Sequence, residues 1–279
     1  MGRMLNKGVQ LVVGVLLMSI SVGLMAQSAS PNEPTYHIRT IVLDPGHGGN
    51  KPGAVGKKSR EKDIVLDVSL KLGKAIEAAL PDVKVYYTRS TDVDVDIYKR
   101  TQFANEKKAD LFISIHCNAA PHKRVRSGQR WVNVVNTGPQ GTETLVLGYN
   151  FIGSQDAAMR ENADILLEEN YEENYQGFNP NDPESYIIFS LMRNQYRDQS
   201  IKLASSIQGE FTGLGRVDRG VKEQKLGVLM QAGMPAVLTE IGFLSNPAEE
   251  EYMLSEKGQQ EIVDNLLEAI KAYKRQTER

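Results

Sequence analysis

The run Leu111-Phe112-Ile113-Ser114-Ile115 is apolar on both faces. A strand with two apolar faces belongs inside a parallel sheet covered by helices on both sides. The chain supplies partners for it. Ile41-Val42-Leu43, closed by Asp-Pro-Gly, reads as a second buried strand, and Val83–Thr88 and Ala236–Ile241 as two more. Arg130–Val135 is a further candidate. Between them lie helical stretches. In Glu61–Leu80, Ile64, Val68, Leu72, Ile76 and Leu80 recur every four residues until Pro81 stops the run. Ile97–Lys108 is a second helix. Glu256–Lys274 is a third, with Ile262, Leu266, Ile270 and Tyr273 on one face. Strands alternating with helices predict an α/β fold: a single domain with a central, mostly parallel twisted sheet flanked by helices. The 279 residues, 41% of them hydrophobic, suffice for one large domain or two small ones. With no internal repeat and no linker after residue 35, one domain is expected.

The N-terminus reads differently. Arg3 and Lys7 precede a mostly apolar run from Val9 to Met25, then the small residues of Ala26-Gln27-Ser28. That is the layout of a secretory signal peptide. It predicts a leader at 1–26, a short segment at 27–38 and the folded domain at 39–275, in an extracytoplasmic and most simply periplasmic protein. The run's 17 residues are near the low end for a membrane span, so an uncleaved anchor is the alternative and the only expected membrane tie. The formal charge of −2 becomes −4 once Arg3 and Lys7 are removed. Such a balance argues against nucleic acid as a partner. The single cysteine, Cys117, excludes a disulfide framework and a cysteine-rich zinc module.

The chemistry-bearing residues cluster by position. His47, in Asp44-Pro45-Gly46-His47-Gly48-Gly49, follows the first strand, and His116 follows the central one. Glu240 ends the strand that begins at Ala236. Glu61 opens the first long helix. All four therefore belong at the carboxyl edge of the sheet, where α/β ligand sites form. His37 and His122 read as structural or surface residues. The glycines around His47 match neither phosphate-loop pattern. Two histidines and a carboxylate are the ligand set of many hydrolytic zinc sites, and a second carboxylate can move protons. A buried carboxylate such as Glu240 needs a partner or a function. Spacing alone leaves open which residue plays which part.

At these residues the chain resembles the zinc-dependent N-acetylmuramoyl-L-alanine amidases of the type-3 family, bacterial cell-wall hydrolases. The resemblance rests on ordered blocks: Ile41 to Gly49, Glu61-Lys62-Asp63, Thr88-Arg89, Arg100 with Ala104-Asn105, Ala109 to Ala119, Val221-Lys222, and Pro235 to Asn246. It implies that His47, Glu61 and His116 hold Zn2+ and that Glu240 is the catalytic carboxylate. It also implies that the substrate is peptidoglycan, cut between N-acetylmuramic acid and L-alanine of the stem peptide. Within these blocks Asn118 reads as substrate-binding, and Asp44 as orienting a ligand histidine. A peptidase of the stem peptide and a non-catalytic wall-binding relative are the competing readings.

Charge is segregated between residues 121 and 184. Pro121–Arg130 holds Lys123, Arg124, Arg126 and Arg130 and no acid, whereas Glu143–Glu184 holds ten acids and one base, Arg160. Some members of the resembled family are held inactive by an inserted helix that activator proteins displace. The acidic insertion around 164–184 is therefore expected to cover the cleft. Glu168, Glu169, Glu172 or Glu173 would block the zinc, and an extracytoplasmic activator would relieve the block. The basic loop would attract that insertion or the stem-peptide carboxylates. A solvated acidic face beside a solvated basic loop is the plain alternative.

Overall fold

A computed structural model of the chain describes residues 36–148, 156–175 and 196–278. The expected leader, most of the segment at 27–38 and the acidic residues after 175 lie outside the described residues. The strands are β1 (Thr40–Pro45), β2 (Lys84–Tyr87), β3 (Leu111–Asn118), β4 (Lys123–Ser127), β5 (Arg130–Val134), β6 (Thr142–Leu147), β7 (Asp218–Gln224) and β8 (Ala236–Phe243). The helices are α1 (Glu61–Ala79), α2 (Ile97–Glu106), α3 (Asp156–Glu161), α4 (Tyr171–Asn174), α5 (Arg197–Gly213), α6 (Pro247–Leu254) and α7 (Glu256–Thr277).

Six strands form one sheet in the order β2-β1-β3-β8-β6-β7. The first four run parallel, and β6 joins β8 antiparallel and carries β7 beside it. The alternation of side chains along a strand sorts the core into two layers. Ile41, Leu43, Leu111, Ile113, Ile115, Val237 and Ile241 face one way and pack with α1, α5 and α7. Val42, Phe112, Leu145, Leu147 and Leu238 face the other way. That second layer is covered by α2 and by the acidic insertion itself, through Ala157, Ala158, Ile165 and Tyr175. Asp44, His116, Asn118, Glu143 and Glu240 share the parity of the second layer, so one face of the sheet edge receives all of them. Among the described residues no helix is long and apolar enough to cross a membrane.

One expected strand is placed differently. Arg130–Val134 does not extend the main sheet but pairs antiparallel with Lys123–Ser127 in a separate hairpin. Most of its side chains are exposed, including Trp131. The reason is visible in composition: charged residues on both strands offer no apolar face for a sheet interior.

Two buried arginines fix the loop after β1. Arg100 donates to Asp44 Oδ1 at 2.8 Å and to the carbonyls of Pro45 and His47 at 2.9 and 2.8 Å. Arg89 donates to the carbonyls of Pro45, Gly46 and Lys62. Asp44 also accepts from Thr88 Oγ1 and Ser114 Oγ. Burial pushes its carboxyl up, but Arg100 and the two hydroxyls outweigh burial and hold it below the usual carboxylate range. Replacing Arg100 by Leu leaves a fully buried anion without its cation. Thermal or urea unfolding should then report a loss of about 3 kcal/mol, a cost typical of a broken buried ion pair.

Candidate metal centre

His47 follows β1 in the left-handed region, at φ 57°. A non-glycine residue there is unusual, and the arginine clamp on the adjacent carbonyls holds it in place. Two glycines are required by close approach. A Cβ on Gly46 would lie 2.3 Å from the His116 ring, and one on Gly53 would lie 2.4 Å from Glu61 Oε2. Glu61, the first residue of α1, is completely buried. Its Oε2 accepts from Ala54 N at 2.6 Å and its Oε1 from Cys117 N at 2.9 Å. Backbone donors from two segments thus orient the carboxylate. Cys117 itself is buried beside Met253.

These residues converge. His116 Nδ1 lies 2.9 Å from Glu61 Oε1, and His47 Nε2 lies 3.3 Å from Glu61 Oε2. A fourth group, Glu161 at the end of α3, completes the cluster. Its Oε2 is 3.1 Å from His47 Nε2 and 2.9 Å from His116 Nδ1. One ligand atom from each of the four residues falls within 4.8 Å of the others. A tetrahedral zinc with bonds of about 2.0–2.1 Å would space its ligand atoms about 3.3 Å apart. His47 Nε2 and Glu161 Oε2 are buried without a conventional hydrogen bond among the described residues. The donor set, its spacing and these orphaned atoms fit a zinc ion.

Glu240 sits one strand away, paired in register with His116 on one side and with Glu143 on the other. Arg160 Nη2 donates to its Oε1 at 3.0 Å, while its Oε2 is buried without a hydrogen bond. Arg160 also donates to Glu161 Oε1 and to the Ala119 carbonyl. Two successive residues of α3 therefore occupy both halves of the site. The cavity left among His47, His116, Glu161, Asp164 and Val228 is about 20 Å³, room for about one water.

Other sequence expectations are relocated. Glu168 does not reach the metal cluster. It accepts from Ile97 N at the start of α2 and from the Tyr175 hydroxyl, so it caps a helix. Glu169, Glu172 and Glu173 are exposed. The chain bends at Asn162 and enters a 3-10 turn over Ala163–Leu167. Beyond that bend Asp164 still reaches the site, 3.4 Å from His47 Nδ1, whereas the four acids from Glu168 to Glu173 do not. Glu161 went unrecognised in the sequence, although the lone base beside it, Arg160, marked the place. Asp44 touches Arg100, Thr88 and Ser114 rather than a ligand histidine, and its link to His47 runs through Arg100. Asn118 donates to Glu143 at 2.8 Å.

The electrostatics follow from burial of many charges together. Burial pulls His47 down, but Glu61, Asp164 and Glu161 outweigh it and hold the ring well above its usual range. Burial also opposes protonation of His116, yet Glu161 and Glu61 raise it to about 9. Burial, reinforced by Glu161 and Glu61 against the pull of Arg160, lifts Glu240 to about 8.

Comparisons with known proteins place the chain in a family. The sequence model of the Amidase_3 family, described as N-acetylmuramoyl-L-alanine amidase, matches residues 41–272. The chain is 30% identical over 241 residues to N-acetylmuramoyl-L-alanine amidase AmiC of Escherichia coli O6:H1, covering 84% of this chain and 52% of AmiC. It thus spans about half of that relative's length. It is 26% identical to AmiA of Escherichia coli K12, over 84% of this chain and 76% of AmiA. The crystal structure of an N-acetylmuramoyl-L-alanine amidase from Clostridium difficile 630 superposes with a TM-score of 0.60 at 26% identity, covering 85% of this chain and 97% of that one.

A pH dependence follows for the metal-free chain. His116 and Glu240 bind protons more tightly folded than unfolded, so their contribution falls as pH rises. His116 loses its part between its ordinary 6.5 and about 9, and Glu240 between 4.5 and about 8. The melting temperature of the chelated chain should therefore drop most steeply between about pH 6.5 and 8. A melting temperature that rises over this range would contradict the assignment.

Proposed function

Because the chain belongs to the Amidase_3 family of N-acetylmuramoyl-L-alanine amidases, we propose that it is a zinc-dependent peptidoglycan amidase. It cuts the amide between the lactyl group of N-acetylmuramic acid and L-alanine of the stem peptide. The observation that supports this best is the convergence of His47, Glu61 and His116, with Glu240 in register beside His116.

His47, Glu61 and His116 hold the metal. Zinc, when bound, polarises the scissile carbonyl and makes water a competent nucleophile near neutral pH. Glu240 does the proton work. Its free Oε2 takes a proton from the attacking water and delivers it to the L-alanine nitrogen as the C–N bond breaks. The Arg100 and Arg89 clamp keeps the His47 backbone in place throughout.

In the conformation described, α3 is a plug. With the metal bound, Glu161 would add a fourth donor beside the three ligands while Arg160 pairs with Glu240, and neither water nor substrate could be engaged. The active form requires α3 to withdraw, and an extracytoplasmic activator protein acts by binding the withdrawn form better. Residues 1–26 serve as a secretion leader, and the enzyme works in the periplasm on peptidoglycan during cell separation or wall remodelling. Sequencing the N-terminus of the mature protein checks the leader.

Mass spectrometry of digested peptidoglycan tests the chemistry. Intact stem peptides with a new L-alanine amino terminus are expected, and none after chelation. Shortened stems would instead identify a peptidase. Glu240→Gln should abolish release while zinc content stays the same. Glu161→Ala, alone or with Arg160→Ala, should raise basal release at least tenfold with the three ligands still loaded. Unchanged release from a folded, zinc-bound variant would remove α3 as the plug.

A further inference from the structure

Beside Glu240, on the side away from the metal cluster, lies a second cavity of about 170 Å³. Asn118, Glu143, Arg160, Arg219, Lys222 and Phe243 contribute to its wall, and Asp156 of α3 adds a second carboxylate. Its centre is a buried anion with two cations. Glu143 is 4% exposed. Its Oε1 accepts from Asn118, and its Oε2 meets both Arg219 Nε, at 3.3 Å, and the Lys222 ammonium. The cations remain half-open to solvent, at 35% and 39% side-chain exposure. One carboxylate cannot saturate two such donors. Among the described residues Arg219 makes no hydrogen bond beyond the one from Nε, so its outer nitrogens are free. Its guanidinium lies over the Phe243 ring, 4.8 Å from the centroid. Buried below and stacked on one side, the fork is held ready for a planar anion. With α3 and its Arg160 and Asp156 withdrawn, Glu143, Arg219 and Lys222 still sum to one positive charge.

The distance from the chemistry selects the ligand. Glu143 and Glu240 are directly opposed on adjacent strands. Such pairs have Cβ atoms about 4.5–5.5 Å apart, and the cations stand one hydrogen bond further out. A peptide spans about 3.3–3.6 Å per residue, so the fork lies within about two residues of the bond that Glu240 serves. In a stem peptide the second residue is a γ-linked glutamate. Its α-carboxyl, free or amidated, hangs at that distance from the scissile nitrogen.

Resting on the amidase reading, we infer that Arg219 and Lys222, braced on Glu143, form a subsite for the free α-carboxylate of the stem peptide's second residue. The enzyme accordingly prefers stems bearing that carboxylate over stems in which it is a carboxamide. Arg219 and Lys222 act through substrate binding and exchange no proton in the reaction.

Two muramyl tripeptides test this, one built on L-alanyl-γ-D-glutamyl-L-lysine and the other on L-alanyl-D-isoglutaminyl-L-lysine. They differ by one carboxylate against one carboxamide. Turnover is measured with the full chain carrying Glu161→Ala, zinc-loaded, and binding of the two free tripeptides to the same chain is measured by calorimetry. A preference of about tenfold or more for the carboxylate form is expected, in KM rather than kcat and in affinity, as for a charge-assisted pair. Arg219→Gln with Lys222→Gln should bring both ratios near one, whereas Arg219→Lys should keep part of the preference. Equal handling of the two compounds by the parent chain, or a preference that survives the double substitution, overturns the subsite. Absence of cleavage of either muropeptide by the zinc-loaded chain counts against the amidase reading instead, and the calorimetric ratio then decides the subsite by itself.

Discussion

The site depends on the two arginines that grip the turn after β1. Pro45, Gly46 and His47 would otherwise present their carbonyls into a dry interior, and unpaired buried carbonyls are costly. Arg89 and Arg100 satisfy them with charged donors, and Asp44 balances Arg100 from beneath. The turn then holds His47 in a backbone conformation that its side chain disfavours. The aim of the imidazole is thus set from behind, by buried residues that grip the backbone on either side of it. A lysine would supply one point of charge where Arg100 reaches Asp44 and three backbone carbonyls.

Strand parity does the rest. On β1, β3, β6 and β8 the same alternation that buries Val42, Phe112, Leu145 and Leu238 carries Asp44, His116, Glu143 and Glu240 to the same face at the sheet edge. Cross-strand register makes neighbours of His116, Glu240 and Glu143. The three side chains are therefore spaced by the pitch of the sheet. A slip of one residue in β8 would turn Glu240 into the opposite layer.

Much of this is legible in the sequence, and what is hidden has a physical cause. The strongly apolar strands β1, β3 and β8 and the stripe of α1 announce themselves because both faces or one face must be buried. His47, Glu61, His116 and Glu240 follow from their places at the ends of those elements. β7 carries a single aliphatic residue, Val221, and lies at the sheet edge, so no periodicity marks it. β6 interleaves Glu143 with threonines, and only the register with β8 explains a carboxylate there. The insertion reads as acidic and solvated because charge dominates its composition. Its buried apolar residues, Ala157, Ala158, Ile165 and Tyr175, anchor it to the core and decide which acid reaches the histidine cluster. Glu161, at the end of a short anchored helix, wins over the denser acids beyond the bend at Asn162.

The strand order has a consequence for how the molecule comes into being. β8 is the last strand in the chain but lies between β3 and β6, in the middle of the sheet. Until residues 236–243 arrive, β3 and β6 present open edges and the sheet exists as two halves. Pairing across such sequence separations raises contact order and slows folding. The same late strand carries Glu240. A chain synthesised only as far as β7 has His47, Glu61 and His116 but lacks Glu240, and its unpaired edges invite aggregation. The two halves of the sheet and the two sides of the candidate site are therefore joined by the same strand, β8.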